Sequence, residues 1–374
     1  EGFSRGYEHW LMSEAKKRNP DIVLLGLVYA YPSWISPAGS TPYGSNQTES
    51  NAAEYVAGWV DGVKKSHNLS IDWVGLWNER EYTKSYVKTL RRVLDEHSQQ
   101  AVKIVGSDKS WEPIASDYLA DPEIRQAISA FTQHYPHCDG RPGVPGKGHG
   151  KRCGATNAGA LKAHNEYGVP LWTSEDYSCW TDALGAGVWA SEINSNYIGG
   201  NVTMESAWHL ASAFYPSVAF WNEGMLSATQ PWSGHYLASP TLWSSAHTTQ
   251  FTRAGKSRYL PQGRGAGALS GGGTYVSFYD ADKSDLTIVI ESAGPAVGNF
   301  CDHNCGPASP GICKYGPAQG PQNATFALSN LKLEAAVTKL ALWRTRLGAD
   351  GVSAAHLFEQ LADVPISNNR PSLV

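Results

Sequence analysis

Two glutamates in this sequence stand where a strand gives way to a loop. Glu79 closes the run Ile71-Asp-Trp-Val-Gly-Leu-Trp-Asn-Glu79, and Glu175 closes Val169-Pro-Leu-Trp-Thr-Ser-Glu175. In a parallel barrel the loops leaving the C-terminal strand ends build the site, so both carboxyl groups are expected at one barrel mouth. Cleavage of a glycosidic bond needs such a pair. One acid protonates the leaving oxygen while one carboxylate sits beside the anomeric carbon, about 5 Å away when a covalent intermediate forms. A single strand-end Glu reads more readily as a surface ion-pair partner; two in the same setting favour chemistry.

Positioning these groups falls to an alternation of helix and strand. Tyr7, Trp10, Leu11 and Ala15 recur at helical spacing before Pro20 stops the helix, and a buried strand follows over 22–28. The pattern then predicts helix 53–66, strand 71–77, helix 82–97, strand 102–105, helix 114–119, strand 128–133, helix 158–167, strand 169–173, helix 185–197 and strand 202–207. Strands bounded by helices imply right-handed parallel crossovers and an apolar sheet covered by helices. Six strands are countable and a closed (β/α)8 barrel has eight. Either two strands precede Glu1 or the sheet is open and doubly wound, but no Gly-rich phosphate loop follows any strand. The carboxylate pair favours the barrel.

Beyond about Phe251 the texture changes to short runs, 274–279, 286–291, 325–328 and 340–343, separated by Gly, Pro and Asn turns. The expected division is a catalytic (β/α)8 barrel over 1–250, incomplete at its N-terminal side, and an antiparallel β-sandwich over 251–374, also incomplete.

Composition narrows the partners. A net charge of -4 supplies no strong field of either sign, which argues against nucleic acid and against an anionic membrane surface. Fourteen Trp and eighteen Tyr offer the flat faces that hold sugar rings, although any one of them serves a core equally well. Asn46, Asn68, Asn201 and Asn323 begin N-glycosylation acceptor triplets. Six Cys lack zinc-finger spacing, so disulfides are expected, with Cys138 and Cys153 bracketing one loop, Cys301, Cys305 and Cys313 in another, and Cys179 as a further partner. Together these features point to the secretory route, lysosomal or secreted. No apolar run is long enough to span a bilayer, and no signal peptide is visible.

The tripeptide Trp77-Asn78-Glu79, followed by the later strand-ending Glu, resembles the clan of retaining glycosidases built on (β/α)8 barrels. Residues 5–20 (RGYEHWLMSEAKKRNP), Gly75-Leu-Trp-Asn-Glu-Arg80, Thr173-Ser-Glu-Asp176, Pro231-Trp-Ser-Gly-His-Tyr236 and Ser244-Ser-Ala-His-Thr-Thr-Gln-Phe251 are similar to glycoside hydrolase family 59, and the similarity runs along nearly the whole chain. That resemblance implies Glu79 as acid/base and Glu175 as nucleophile. It also implies Asn78 on the sugar 2-hydroxyl, Tyr135 orienting the nucleophile, Trp208 as a stacking wall and Ser178 near the substrate. Tyr29 and Phe220 stand where the family has a sugar-contacting Trp and a Tyr, Asp108 is read as a structural hydrogen-bonding residue, and the family's substrate-binding Arg has no counterpart unless Lys314 replaces it. The first two barrel strands and a C-terminal lectin-like domain of the family are absent from this sequence, so a longer working protein or a completing chain is expected. The implied reaction is hydrolysis of a terminal β-galactoside, the head group of a sphingolipid such as galactosylceramide, with no metal or organic cofactor and with a saposin-type lipid presenter. Two alternatives stay open: a retaining hydrolase of another β-glycan, and a non-catalytic carbohydrate-binding or structural subunit.

Overall fold

Helix starts are set by caps as much as by apolar spacing in the computed structural model, which describes residues 3, 5–36, 41–136, 158–177, 181–213, 224–228, 230–261, 263–292, 323–328, 338–348, 354–367 and 370–373. Residues pack into two compact units, Glu1–His134 with Ala155–Ser174, and Tyr135–Gly154 with Glu175–Val374. The six cysteines lie outside the described residues, and with them the expected disulfides.

The first unit begins with α1 (Glu8–Arg18), β1 (Leu25–Gly26) and α2 (Asn46–His67). Helix α2 starts earlier than its apolar pattern suggests because Ser45 and Thr48 form a capping box over a polar first turn. Its buried face, Ala52, Ala53, Val56, Ala57, Val60 and Val63, follows the 3.6-residue period, and Asn68 ends it in a left-handed conformation. After β2 (Trp73–Gly75), helix α3 (Lys84–Glu96) is capped by Thr83 and buries Tyr86, Val87, Leu90, Val93 and Leu94. Strands β1 and β2 are shorter than the expected 22–28 and 71–77. Part of the reason is that the Asp72 carboxylate accepts the Leu24 N–H at 2.8 Å, taking a donor from the ladder.

Next come β3 (Lys103–Asp108), α4 (Trp111–Ala120), α5 (Pro122–Ala127), β4 (Ile128–His134), α6 (Ala158–Tyr167) and β5 (Leu171–Tyr177). Helix α5 was not expected from periodicity. Asp121 is extended, caps Glu123, and precedes Pro122 at the first helical position, so one apolar stretch is split into two helices. Strand β5 starts in the first unit and ends in the second. The second unit continues with α7 (Ala183–Gly200), capped by Asp182, and β6 (Val202–Trp208).

Strands β1 to β6 form one sheet in sequential order. Pairing is parallel between β1 and β2, β2 and β3, and β3 and β4, with Trp73 opposite Leu25 and Lys103, and Asp108 opposite Gln133. Interiors of β3 and β4 are buried on both faces, as a helix-covered parallel sheet requires.

The remaining elements, all in the second unit, are β7 (Ala211–Ala213), β8 (Leu226–Ala228), β9 (Leu237–Ala238), α8 (Pro240–Thr249), β10 (Ser257–Leu260), β11 (Gly267–Ala268), β12 (Thr274–Asp280), β13 (Asp285–Glu291), β14 (Ala324–Thr325), β15 (Lys339–Leu347), β16 (Ala354–Ser367) and β17 (Arg370–Leu373). They make three further sheets: β7-β8-β9, β10-β12-β11 with β13 on β12, and β14-β17-β16-β15. Helix α8 has a Ser239 cap and Pro240 at its first position, but its Ser/Thr-rich body carries no apolar stripe to betray it. Pairs β10/β12, β12/β13 and β15/β16 are antiparallel, so the change of texture past Phe251 is a real change of sheet type. Ile198 of α7 joins Ala266, Val276 and Phe278 in a buried core with Tyr197, Tyr259 and Val289 against it. No helix among the described residues is long and apolar enough to cross a membrane.

Leu90 is fully buried on α3. Leu90→Ala is expected to lower unfolding free energy by about 2–5 kcal/mol in a denaturant titration, the range for emptying a core site.

Candidate active site

In the first unit the chain turns sharply just past β2. Glu79 has φ 52°, in the left-handed region that non-glycine residues rarely occupy. Its backbone N–H donates to Asp108 Oδ2 at 2.6 Å. Asp108 ends β3 with φ 80° and donates its own N–H to Thr132 Oγ1 at 3.1 Å. The other Asp108 oxygen, Oδ1, lies 3.0 Å from His134 Nε2, and His134 Nδ1 lies 3.3 Å from Glu79 Oε1. Asp108 and His134 are buried, whereas the Glu79 side chain is 53% exposed. The result is a chain of contacts running from a dry interior to one open carboxyl group.

Asn78, next to Glu79, is buried, and its N–H donates to the Val28 carbonyl at 2.9 Å. Its side-chain Oδ1 is sealed from solvent with no hydrogen-bond partner among the described residues. An acceptor left in that state is suited to a hydroxyl supplied from outside the protein. Tyr29 is 71% exposed, and its carbonyl receives the Trp77 indole N–H at 3.4 Å.

In the second unit Tyr135 holds Glu175 twice. The Tyr135 N–H donates to the Glu175 carbonyl at 3.0 Å, and the phenol donates to Glu175 Oε1. Tyr135 adopts φ 45°, a third left-handed residue among these candidates. Such conformations cost about 1–3 kcal/mol each and persist where surrounding contacts impose them. Behind Glu175, Asp176 is fully buried and accepts from the Asn196 amide at 3.1 Å. Burial, and then the neighbouring Glu205 charge, push Glu192 up to about 8 against a smaller opposing pull from its hydrogen bond with Asp176. Burial, and then the Asp176 charge, push Glu205 likewise up to about 8, with Asn196 opposing. The Glu205 stem is partly exposed, but both carboxyl oxygens are sealed from solvent. Trp208 is half-buried at the end of β6. Ser178 and Phe220 lie outside the described residues.

Sequence reasoning missed His134 as a partner of Glu79, and it missed Glu192 and Glu205. A signal for the first was present: Thr132, Gln133 and His134 are three consecutive polar residues at the end of an apolar strand, all buried. Buried polar groups need partners, so such a run marks a built network.

The model of glycosyl hydrolase family 59 matches residues 1–250, and that of the family 59 central domain matches residues 259–374. This chain belongs to glycosyl hydrolase family 59. The family 59 chain is 38% identical to galactocerebrosidase of Mus musculus across 93% of its own length and 45% of the relative. It is 37% identical to galactocerebrosidase of Homo sapiens across 96% of its own length and 47% of that protein. It thus spans about half the length of the curated relatives it matches. Among solved structures, a glycoside hydrolase family 30 subfamily 8 xylanase from Clostridium acetobutylicum superposes with a TM-score of 0.62 at 16% identity, covering 100% of this chain and 83% of the other. A family 30 endoxylanase from Clostridium papyrosolvens gives 0.62 at 13%, covering 99% and 82%. The fold is therefore of the TIM-type barrel class, with the six parallel strands β1 to β6 and additional β-sheets, and the open doubly wound alternative is set aside.

The two raised carboxyls make stability depend on pH with a definite sign. Each is uncharged in the fold up to about 8 and ordinarily ionises near 4.5. Stability held by the uncharged forms is complete below 4.5 and is lost as pH rises toward and through 8. Melting temperature is expected to fall steadily across that interval, and Glu205→Gln, uncharged at every pH, is expected to flatten the fall.

Proposed function

We propose that this chain carries the catalytic centre of a retaining β-glycosidase that hydrolyses a terminal β-galactoside, the galactosyl head group of a sphingolipid such as galactosylceramide. The observation that carries this reading is that each strand-end glutamate has a dedicated supporting group: Asp108 and His134 on Glu79, Tyr135 on Glu175. Glu79 lies just past the C-terminal end of β2 in the first unit, and Glu175 lies near the C-terminal end of β5 in the second; such strand ends are where barrel enzymes carry catalytic groups. The galactocerebrosidase relatives supply the substrate class.

In the first step Glu175 attacks the anomeric carbon, the bond to the leaving oxygen breaks, and Glu79 gives that oxygen its proton. In the second, Glu79 takes a proton from water, whose oxygen attacks the same carbon and releases the Glu175 carboxylate. Side chains and water complete both steps without a cofactor. Asn78 offers its sealed Oδ1 to a sugar hydroxyl, Tyr135 keeps one Glu175 oxygen in place, and Trp208, Tyr29, Ser178 and Phe220 complete the sugar-binding surface. Residues 1–250 act as the catalytic barrel and 251–374 as its β-sandwich companion. The protein works as a lysosomal or secreted glycoprotein, where acidity matches the protonated pair Glu192 and Glu205, and a saposin-type carrier presents the lipid.

Glu175→Gln is expected to abolish hydrolysis of nitrophenyl β-galactoside, and a fluoro-sugar inactivator is expected to label Glu175; labelling elsewhere, or equal residual activity in the variant, would remove it as nucleophile. Glu79→Gln is expected to slow turnover roughly 100- to 10,000-fold on a substrate with a poor leaving group, with azide restoring rate on an activated one. Tyr135→Phe is expected to lower kcat about 10- to 100-fold, the worth of a hydrogen bond to a charged group, without changing the melting temperature appreciably.

A further inference from the structure

We propose that His134, fixed by Asp108, is a positioning residue that dictates which oxygen of Glu79 carries the transferable proton. This rests on the reading of Glu79 as general acid. Asp108 has only acceptors to offer, and both are engaged: Oδ2 takes the Glu79 N–H at 2.6 Å and Oδ1 faces His134 Nε2 at 3.0 Å. Nε2 must therefore carry a hydrogen. With Asp108 1% and His134 5% exposed, no bulk water competes for this bond.

The remaining ring nitrogen, Nδ1, meets Glu79 Oε1 at 3.3 Å. Two arrangements fill that contact. A bare Nδ1 would accept from a proton on Oε1, turning the acidic proton inward, away from any substrate. An Nδ1–H would donate to Oε1 and leave the proton of the acid on Oε2. The second arrangement suits the surroundings, because a ring that donates from both nitrogens is a cation, and the buried Asp108 carboxylate at 3.0 Å supplies its countercharge. It also suits the reaction. When Oε2 gives up its proton, the carboxylate formed already has a charged donor on its other oxygen. Asp108 acts on Glu79 a second time through the backbone, since its bond to the Glu79 N–H holds a residue in the left-handed region that otherwise costs about 1–2 kcal/mol.

General acid assistance matters for a poor leaving group and hardly at all for a good one, so leaving-group dependence separates this role from a general loss of structure. Using the full chain, kcat/KM is measured for methyl and dinitrophenyl β-galactosides in wild type, Asp108→Asn, His134→Ala and Glu79→Gln. Asp108→Asn and His134→Ala are expected to lose at least about tenfold more on the methyl glycoside than on the dinitrophenyl one. An equal loss on both, beside a selective loss in Glu79→Gln, overturns the proposal while leaving the glycosidase reading intact. If wild type cleaves neither galactoside, the glycosidase reading falls, and nitrogen-15 spectra of the histidine-labelled protein judge the ring by themselves. Both His134 nitrogens are expected to bear hydrogen, with Asp108→Asn moving the Nε2 resonance and Glu79→Gln the Nδ1 resonance. A bare Nδ1 in wild type overturns the assignment.

Discussion

Asp108 divides its two oxygens between a backbone and a ring, and the geometry around Glu79 depends on that division. One oxygen fixes the main chain of Glu79, and the other fixes the imidazole that touches the Glu79 carboxyl. Neither bond would form without the parallel register that sets the end of β3 beside the end of β4, with Asp108 opposite Gln133 and its N–H on Thr132. A buried carboxylate accepting two hydrogen bonds is stable where an unpaired one is not. The geometry of the exposed glutamate thus follows from a satisfied interior group.

Tyr135 plays the corresponding part for Glu175 by gripping backbone and side chain at once. Glu79, Asp108 and Tyr135 all have positive φ without being glycine. Each sits where a strand ends, and each is held by hydrogen bonds to a neighbouring strand. Regular secondary structure supplies the rigid sheet, and its broken ends supply the directions in which the polar groups point.

Much of this was legible in the sequence. Apart from α5, the order of helices and strands up to β6 follows from apolar spacing, and Glu79 and Tyr135 stand just past β2 and β4 as the apolar runs suggest, whereas β5 continues to Tyr177 and holds Glu175 inside it. Boundaries were less accessible. Helix α2 starts at a cap with no apolar residues, and α5 owes its existence to Asp121 and Pro122. Asp108 is a structural hydrogen-bonding residue, as its place at the end of an apolar strand suggests, but its bond to Glu79 joins residues far apart in the chain and has no local signature. Glu192 was hidden differently: it lies on α7 among Val188, Trp189 and Ile193, and only the packed neighbours reveal that its carboxyl is dry.

Glu192 and Glu205 also give the fold a stoichiometric relation to hydrogen ions. Between 4.5 and 8 the unfolded chain releases protons from these side chains and the folded one retains them, so folding draws protons from solution. In an acidified compartment the side chains enter the core already neutral. At the alkaline end of the range the same chain must capture hydrogen ions before its interior can close, and calorimetric folding enthalpies will then include the ionisation heat of whatever buffer supplied them.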